Sequence, residues 1–344
     1  MPRMNNHQNH KFLPKYILTS IFFGMIGLYS CESLVTTIPD SKLPKVESQL
    51  TLFAFLSPQD TLIRVKVSQT QPILSEFTTG DSLFYVFNGD TLQGIDDSFP
   101  NATVVLESPE SKITLAYDPV EKVYSASAKV FPIRRGQRYA VSVTDGKRTA
   151  TANCTVPLEA IPITEYTLDT TITPTIGRGD TTLLLTYTWM DLPGKENYYR
   201  IRAYERVEYS IVDFNPNTNN LIERRTTRLF NFNWSSTGGR RDYFSDKKLD
   251  GTKFSTPLGR KDWQRTQTFG FPDGKPIEPK KQPKSLGVYL VLLNTDFNYY
   301  QFHLSVRQAR RDNPFAEPSL VYSNIKGGLG IFAGLNQSIK LIKP

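Results

Sequence analysis

From Leu50 onward the chain is built of short runs in which apolar and polar residues alternate, the period of two that a half-buried strand imposes. Leu50 to Leu56, Leu62 to Val67, Ala102 to Leu106, Ile113 to Tyr117, Tyr139 to Val143 and Arg148 to Val156 all carry it and are rich in Val, Ile, Thr, Tyr and Phe. Turn formers separate them, as at Ser57-Pro-Gln-Asp, Ser108-Pro-Glu and Asp145-Gly146. The last of these predicts a two-residue hairpin. Residues 49–157 therefore read as an immunoglobulin-like β-sandwich. It lacks the Cys…Trp…Cys signature of antibody domains, so only the broader architecture is implied. Residues near 70–100 look like an insertion with its own hairpin around Asn88-Gly89-Asp90.

Val156-Pro157 closes that unit and Ile161-Pro162 opens a second β domain, 158–344. Thr164 to Thr173, Thr181 to Met190, Asn197 to Val212 and Leu221 to Trp234 predict an antiparallel meander of long strands. A Pro/Gly-punctuated basic loop near 238–284 follows, and then a strand over Leu286 to Asn294. One segment reads as a helix. Thr295 or Asp296 offers the N-cap, Phe297, Tyr300 and Leu304 fall at helical spacing, Arg310-Arg311 suits the C-terminal end, and Asn313-Pro314 stops it. Ser319 to Tyr322, Leu329 to Phe332 and Ser338 to Ile342 read as three short strands separated by glycines. The fold class is mostly β.

The first thirty residues follow a different rule. Arg3, Lys11 and Lys15 precede an apolar run from Tyr16 to Leu28, and Leu28-Tyr-Ser-Cys31 closes it. Basic, then apolar, then small is the layout of a secretory signal, and the run is shorter than the ~20 residues a membrane-crossing helix needs. The closing tetrapeptide resembles a lipobox, which predicts cleavage before Cys31 and acylation of that cysteine. Tyr29 is bulkier than usual there. Residues 31–48, with Pro39 and Pro44, read as a tether. Cys154 is the only other cysteine. Acylation of Cys31 thus rules out an intramolecular disulfide, and Cys154 is expected to be a small buried hydrophobe.

The sequence holds 41 Lys and Arg against 33 Asp and Glu. Three of the basic residues lie in 1–30, and much of the remaining excess falls between Arg240 and Lys284. In an exported protein such a stretch predicts a solvated loop facing anionic lipid rather than nucleic acid. Catalytic patterns are thin. His7 and His10 leave with the signal, and His303 sits beside the aromatic face of the expected helix, where a structural role is expected. Gly328-x-Gly330-x-x-Ala333 matches a dinucleotide fingerprint, but too few residues follow it to supply the helix and second strand that motif needs. Asp213-x-Asn215-x-Asn217 begins like a calcium loop, yet position six is Thr218 and position twelve Arg224, so a turn is the better reading. The adjacent Asp96-Asp97 pair has no supporting context. No enzyme activity, cofactor or metal is expected.

The stretch 312–332, Asp-Asn-Pro-Phe-Ala-Glu-Pro-Ser-Leu-Val-Tyr-Ser-Asn-Ile-Lys-Gly-Gly-Leu-Gly-Ile-Phe, resembles the ending of the bacterial lipoproteins grouped as domain-of-unknown-function family 4249. Ala102-Thr-Val-Val-Leu, Tyr117-Asp-Pro, Thr149-Ala-Thr-Ala, Glu196-Asn-Tyr-Tyr and Phe244-Ser-Asp agree with it. The resemblance implies a Gram-negative outer-membrane lipoprotein, commonly encoded beside TonB-dependent receptors, with no catalytic residues to carry over. The expected partners are the membrane, through lipid on Cys31, and such a receptor, with a glycan or peptide as a further ligand. The alternative is a surface adhesin or glycan-binding envelope scaffold. Either leaflet face is open. Asn313, Pro314, Phe315, Glu317, Pro318, Asn324, Gly327, Gly328 and Gly330 form a motif that is either structural or a partner contact.

Overall fold

The computed structural model describes residues 47–70, 82–87, 90–95, 98–175, 178–215, 220–236, 239–240, 242–262, 269–270, 276–277, 283–309 and 320–343. The first strands are β1 (Leu50–Leu56), β2 (Leu62–Gln69), β3 (Ser82–Phe87), β4 (Asp90–Ile95), β5 (Thr103–Glu107), β6 (Lys112–Asp118), β7 (Val123–Ser127), β8 (Arg138–Thr144) and β9 (Thr149–Thr155). Long strands follow as β10 (Glu165–Thr175), β11 (Arg178–Met190), β12 (Tyr198–Asn215) and β13 (Asn220–Asn231). Short ones come next: β14 (Ser235–Ser236), β15 (Gly239–Arg240), β16 (Tyr243–Ser245), β17 (Lys253–Ser255), β18 (Gly259–Asp262), β19 (Phe269–Gly270) and β20 (Pro276–Ile277). The chain ends with β21 (Lys284–Thr295), helix α1 (Phe297–Ala309) and β22 (Gly328–Ile342).

The protein is mostly β, with a sandwich-like layout. One long sheet runs β13-β12-β21-β22-β1-β2-β7-β6-β5-β8-β9, with β16 also pairing β12. A smaller sheet is β10-β11-β17, with β18 also on β11. The hairpin expected on either side of Asn88-Gly89 is present as β3 and β4, which pair from Ser82↔Ile95 to Phe87↔Asp90. Among the described pairs between named strands, β1 with β22 alone is parallel, Leu50 lying opposite Gly328 and Leu56 opposite Gly334.

Residues 48–344 form one unit by their contacts, and three cores fill it. The first is enclosed by β1, β2 and β5 to β9, where Leu50, Leu52, Val65, Val104, Val141 and Phe332 are buried together. The second lies between the small sheet and the β12–β21 part of the long one, and holds Leu185, Trp189, Tyr199, Ile201, Phe254 and Leu292. The third sits where α1 covers the opposite face of the long sheet, with Tyr299 and Phe302 against Phe55, Leu293, Ile331 and Leu335. This explains why Gly330 to Asn336 and Leu290 to Thr295 are buried without alternation. A strand covered on both faces loses the polar half of its pattern.

Four expectations change. The meander does not hold, because β11 pairs with β10, β17 and β18 but not with β12; the chain leaves one sheet at Met190 and enters the other at Tyr198. The basic stretch is not a simple solvated loop. Its short strands add to both sheets, and Lys261 is buried beside the equally buried Glu205, which its ammonium pairs. Strands of three or four residues are too short to register as periodicity. The helix buries Tyr299 and Phe302 while Phe297 is half exposed. Aromatic residues occupy both sides of it, so spacing alone could not choose the face. Finally, Gly328 to Ile342 form one strand rather than two, and Ser319 to Tyr322 contribute none among the described residues.

Asp296 is the N-cap: its Oδ1 accepts the Tyr299 N–H at 2.9 Å and its Oδ2 the Gly334 N–H at 2.9 Å. Its own N–H donates to Gly334 O. The helix start is thereby tied to the middle of β22. Burial pushes the Asp296 carboxyl up to about 7, although the backbone N–H groups around it pull the other way. Below that value the folded chain keeps a proton that an unfolded carboxyl near 3.8 releases. Stability should therefore fall as pH rises from about 4 through 7, by at most ~1.4 kcal/mol per unit. Asp296→Asn keeps the capping oxygen and removes the titration, so urea unfolding across that range should give a flatter profile; an unchanged slope would contradict this assignment.

Candidate functional site

Of the expected motif residues, Cys31, Asn313, Pro314, Phe315, Glu317 and Pro318 lie outside the described residues. Asn324, Gly327, Gly328 and Gly330 lie together where β22 passes between β1 and β9. Lys326 and Thr151 exchange N–H···O bonds of 2.8 and 2.9 Å, which join the start of β22 to β9. The Asn324 side chain donates to Phe332 O at 2.7 Å and accepts Phe332 N–H at 3.0 Å. It thus stands in for a neighbouring strand, satisfying both backbone groups of a buried residue. Its amide also donates to Asn153 O at 3.2 Å.

The glycines are required by contact with backbone. At Gly330 φ is +112°, and a Cβ would fall on the Leu52 carbonyl oxygen. At Gly327 φ is +75°, and a Cβ would strike Thr149 O. Both positions need the absent side chain and the positive φ that glycine tolerates. The Gly-x-Gly-x-x-Ala pattern thus lies inside a strand that packs on another backbone. A cleft of about 240 Å³ beside the seam is lined by Glu107, Thr151, Asn153, Asn324 and Lys326 among others. It is smaller than the ~300–1,000 Å³ typical of small-molecule sites.

A second arrangement is built from strand connections in the second half of the chain. Asp191 follows β11 and opens the turn that leads into β12, while Asp246 follows β16 and opens the turn that leads into β17 through Asp250. The Asn197 amide joins these turns, donating to Leu192 O and Lys195 O at 2.8 Å and to Asp246 Oδ2 at 3.1 Å. Asp191 accepts the Tyr199 hydroxyl and, at 2.8 Å, the Gly251 N–H. Asp250 accepts the Gly194 N–H at 2.9 Å. One oxygen from each of Asp191, Asp246 and Asp250 falls within 4.8 Å of the others. Asp191 and Asp246 are buried and Asp250 is exposed.

The electrostatics follow from this crowding. Burial, with the neighbouring Asp191 charge, pushes the Asp246 carboxyl up, against the pull of its Asn197 hydrogen bonds. Burial and the Asp191 acceptor raise the Tyr199 hydroxyl, so it stays a donor. Three hard oxygen donors without histidine or thiolate suit an oxygen-seeking cation. Sequence reasoning looked for a calcium loop at 213–217 and did not find this group. Two segments that carried the family resemblance, 196–199 and 244–246, meet here, but their separation along the chain concealed the contact.

His303 stacks between Phe55 and Tyr243, at ring separations of 5.6 and 5.5 Å, and takes the structural position expected for it. Cys154 is buried in the first core, and burial raises its thiol. A mostly β, sandwich-like protein whose C-terminal strand seals both halves is the class these features define. The chain matches, over residues 32–340, the family described as Domain of unknown function (DUF4249), and it belongs to that family. No curated protein and no solved structure matches it.

Gly330→Ala places a methyl group against backbone at an unfavourable φ, and should cost at least about 2 kcal/mol. Asn324→Ala strands the Phe332 N–H and C=O and should cost about 1–3 kcal/mol. Urea unfolding midpoints measure both; a loss within experimental error for Gly330→Ala would refute the close approach of β22 to β1.

Proposed function

We propose that this protein is an exported lipoprotein, cut before Cys31 and acylated there, which stands on the outer membrane and assists a TonB-dependent receptor without catalysing a reaction. The observation that carries the first part is positional. The family match begins at residue 32, immediately after Cys31, and the β unit begins at Ser48. A chain segment of that length spans at most about 50 Å, which bounds how far the unit would stand from its lipid. Each methylene buried in the bilayer adds about 0.8 kcal/mol, so two or three acyl chains hold a domain of this size durably. No helix among the described residues is long and apolar enough to cross a membrane.

The receptor part rests on what family membership implies. The packing of His303 between aromatic rings supports the non-enzymatic part, since the single histidine beyond the leading segment stacks, half-buried, on Phe55 and Tyr243. Cys31→Ser should move the protein from the membrane to the soluble fraction, and retention of that variant in the membrane would make the apolar run the anchor. Crosslinking in intact envelopes, followed by pull-down and mass spectrometry, should recover one outer-membrane receptor. Recovery of the lipoprotein alone would remove the receptor from the proposal while leaving the anchor in place.

A further inference from the structure

The acidic group at Asp191, Asp246 and Asp250 holds more negative charge than the fold around it answers. Asp246 is only 2% exposed, and its Oδ1 has no hydrogen-bond partner. Among the described residues, no Lys or Arg forms an ion pair with any of the three. Two ionised carboxylates this close cannot hydrogen-bond each other, so with both ionised the site calls for a cation.

We propose that Asp191, Asp246 and Asp250 bind one Ca²⁺ ion, which clamps the turn between β11 and β12 to the turn between β16 and β17. Two ligands on opposite sides of a Ca²⁺ at ~2.4 Å stand about 4.8 Å apart, and one oxygen of each aspartate lies within 4.8 Å of the other two. The three therefore fit one coordination shell. Each carboxylate is already held by hydrogen bonds: Asp191 by Tyr199 and Gly251, Asp246 by Asn197, and Asp250 by Gly194. Such supports leave lone pairs free for an ion and fix the direction in which they point. Exposed Asp250 gives the ion a way in, and water completes the shell. The absence of imidazole or thiolate from the group disfavours Zn²⁺, and Mg²⁺ demands a tighter octahedron at ~2.0–2.1 Å. This inference is independent of the lipid anchor and of the receptor.

The test uses the full chain in detergent, stripped with EDTA and dialysed, with Ca²⁺ alone as the probe. Isothermal titration should give one Ca²⁺ per chain, and thermal unfolding should shift upward with Ca²⁺ more than with equal Mg²⁺. Asp250→Asn, at an exposed position that does not endanger folding, should weaken Ca²⁺ binding about tenfold or more. Asp246→Asn should abolish the Ca²⁺ shift while raising the melting temperature of the stripped protein, since its amide can donate to Asp191. A stripped wild-type chain with neither binding heat nor a melting shift overturns the proposal. Undiminished binding in both variants overturns it as well. Should Asp246→Asn stabilise a wild type that ignores Ca²⁺, the two buried acids share a proton, and the ion is excluded.

Discussion

The structure depends on how closely β22 can approach its neighbours. This strand is bonded along one edge to β1 and along the other to β21, with Asn324 and the Lys326–Thr151 bridge completing the part that β21 does not reach. One face sends Phe332 into the first core and the other sends Ile331, Ala333 and Leu335 under α1. Side chains cannot be accommodated everywhere along such a path. Glycine at 327, 328 and 330 lets the backbones of β1, β9 and β22 come into contact where a methyl group would keep them apart. The interaction is also non-local, since residues in the fifties pair with residues in the 330s. The long sheet is complete only once the last strand has been placed, and pairings of this separation close slowly.

Around that strand the protein distributes polar groups unevenly. The first core is nearly all aliphatic and aromatic, and although Lys66 of β2 is buried, most of the buried charge lies in the second half. Lys261 pairs with Glu205, and Arg200 lies beside Asp242 and bonds the Tyr299 hydroxyl. Buried pairs contribute little net stability because desolvation offsets their attraction, but breaking one leaves a charge that the interior cannot solvate. Removing one partner of such a pair is therefore costlier than losing an exposed one. Asp296, at the helix start, binds α1 to the centre of β22.

The functional features lie at the margins of this frame. Lipidation would act on a residue outside the β unit, and the acidic group is built from two turns at the ends of strands in different sheets. Connections between elements carry sites because the scaffold holds them while leaving them open to solvent. Here Asn197 joins the two turns, so the spacing of the carboxylates is set by the packing of the sheets beneath them.

The sequence by itself determined the β class, most of the strands, a hairpin between β8 and β9, an N-cap at Thr295 or Asp296 and the burial of Cys154. These are local matters: alternation over five or more residues, a turn dipeptide, a carboxylate ahead of a helix. It marked the glycines near the C-terminus as either structural or a partner contact. The tertiary structure alone decided what they are needed for, which strands pair, which helix face is buried and that Lys261 lies inside. It alone brought Asp191 together with Asp246 and Asp250. Each of these depends on groups far apart in the chain, and alternation reports only that a side chain is covered, never by what. Where both faces of a strand are covered, as in β22, even that signal disappears.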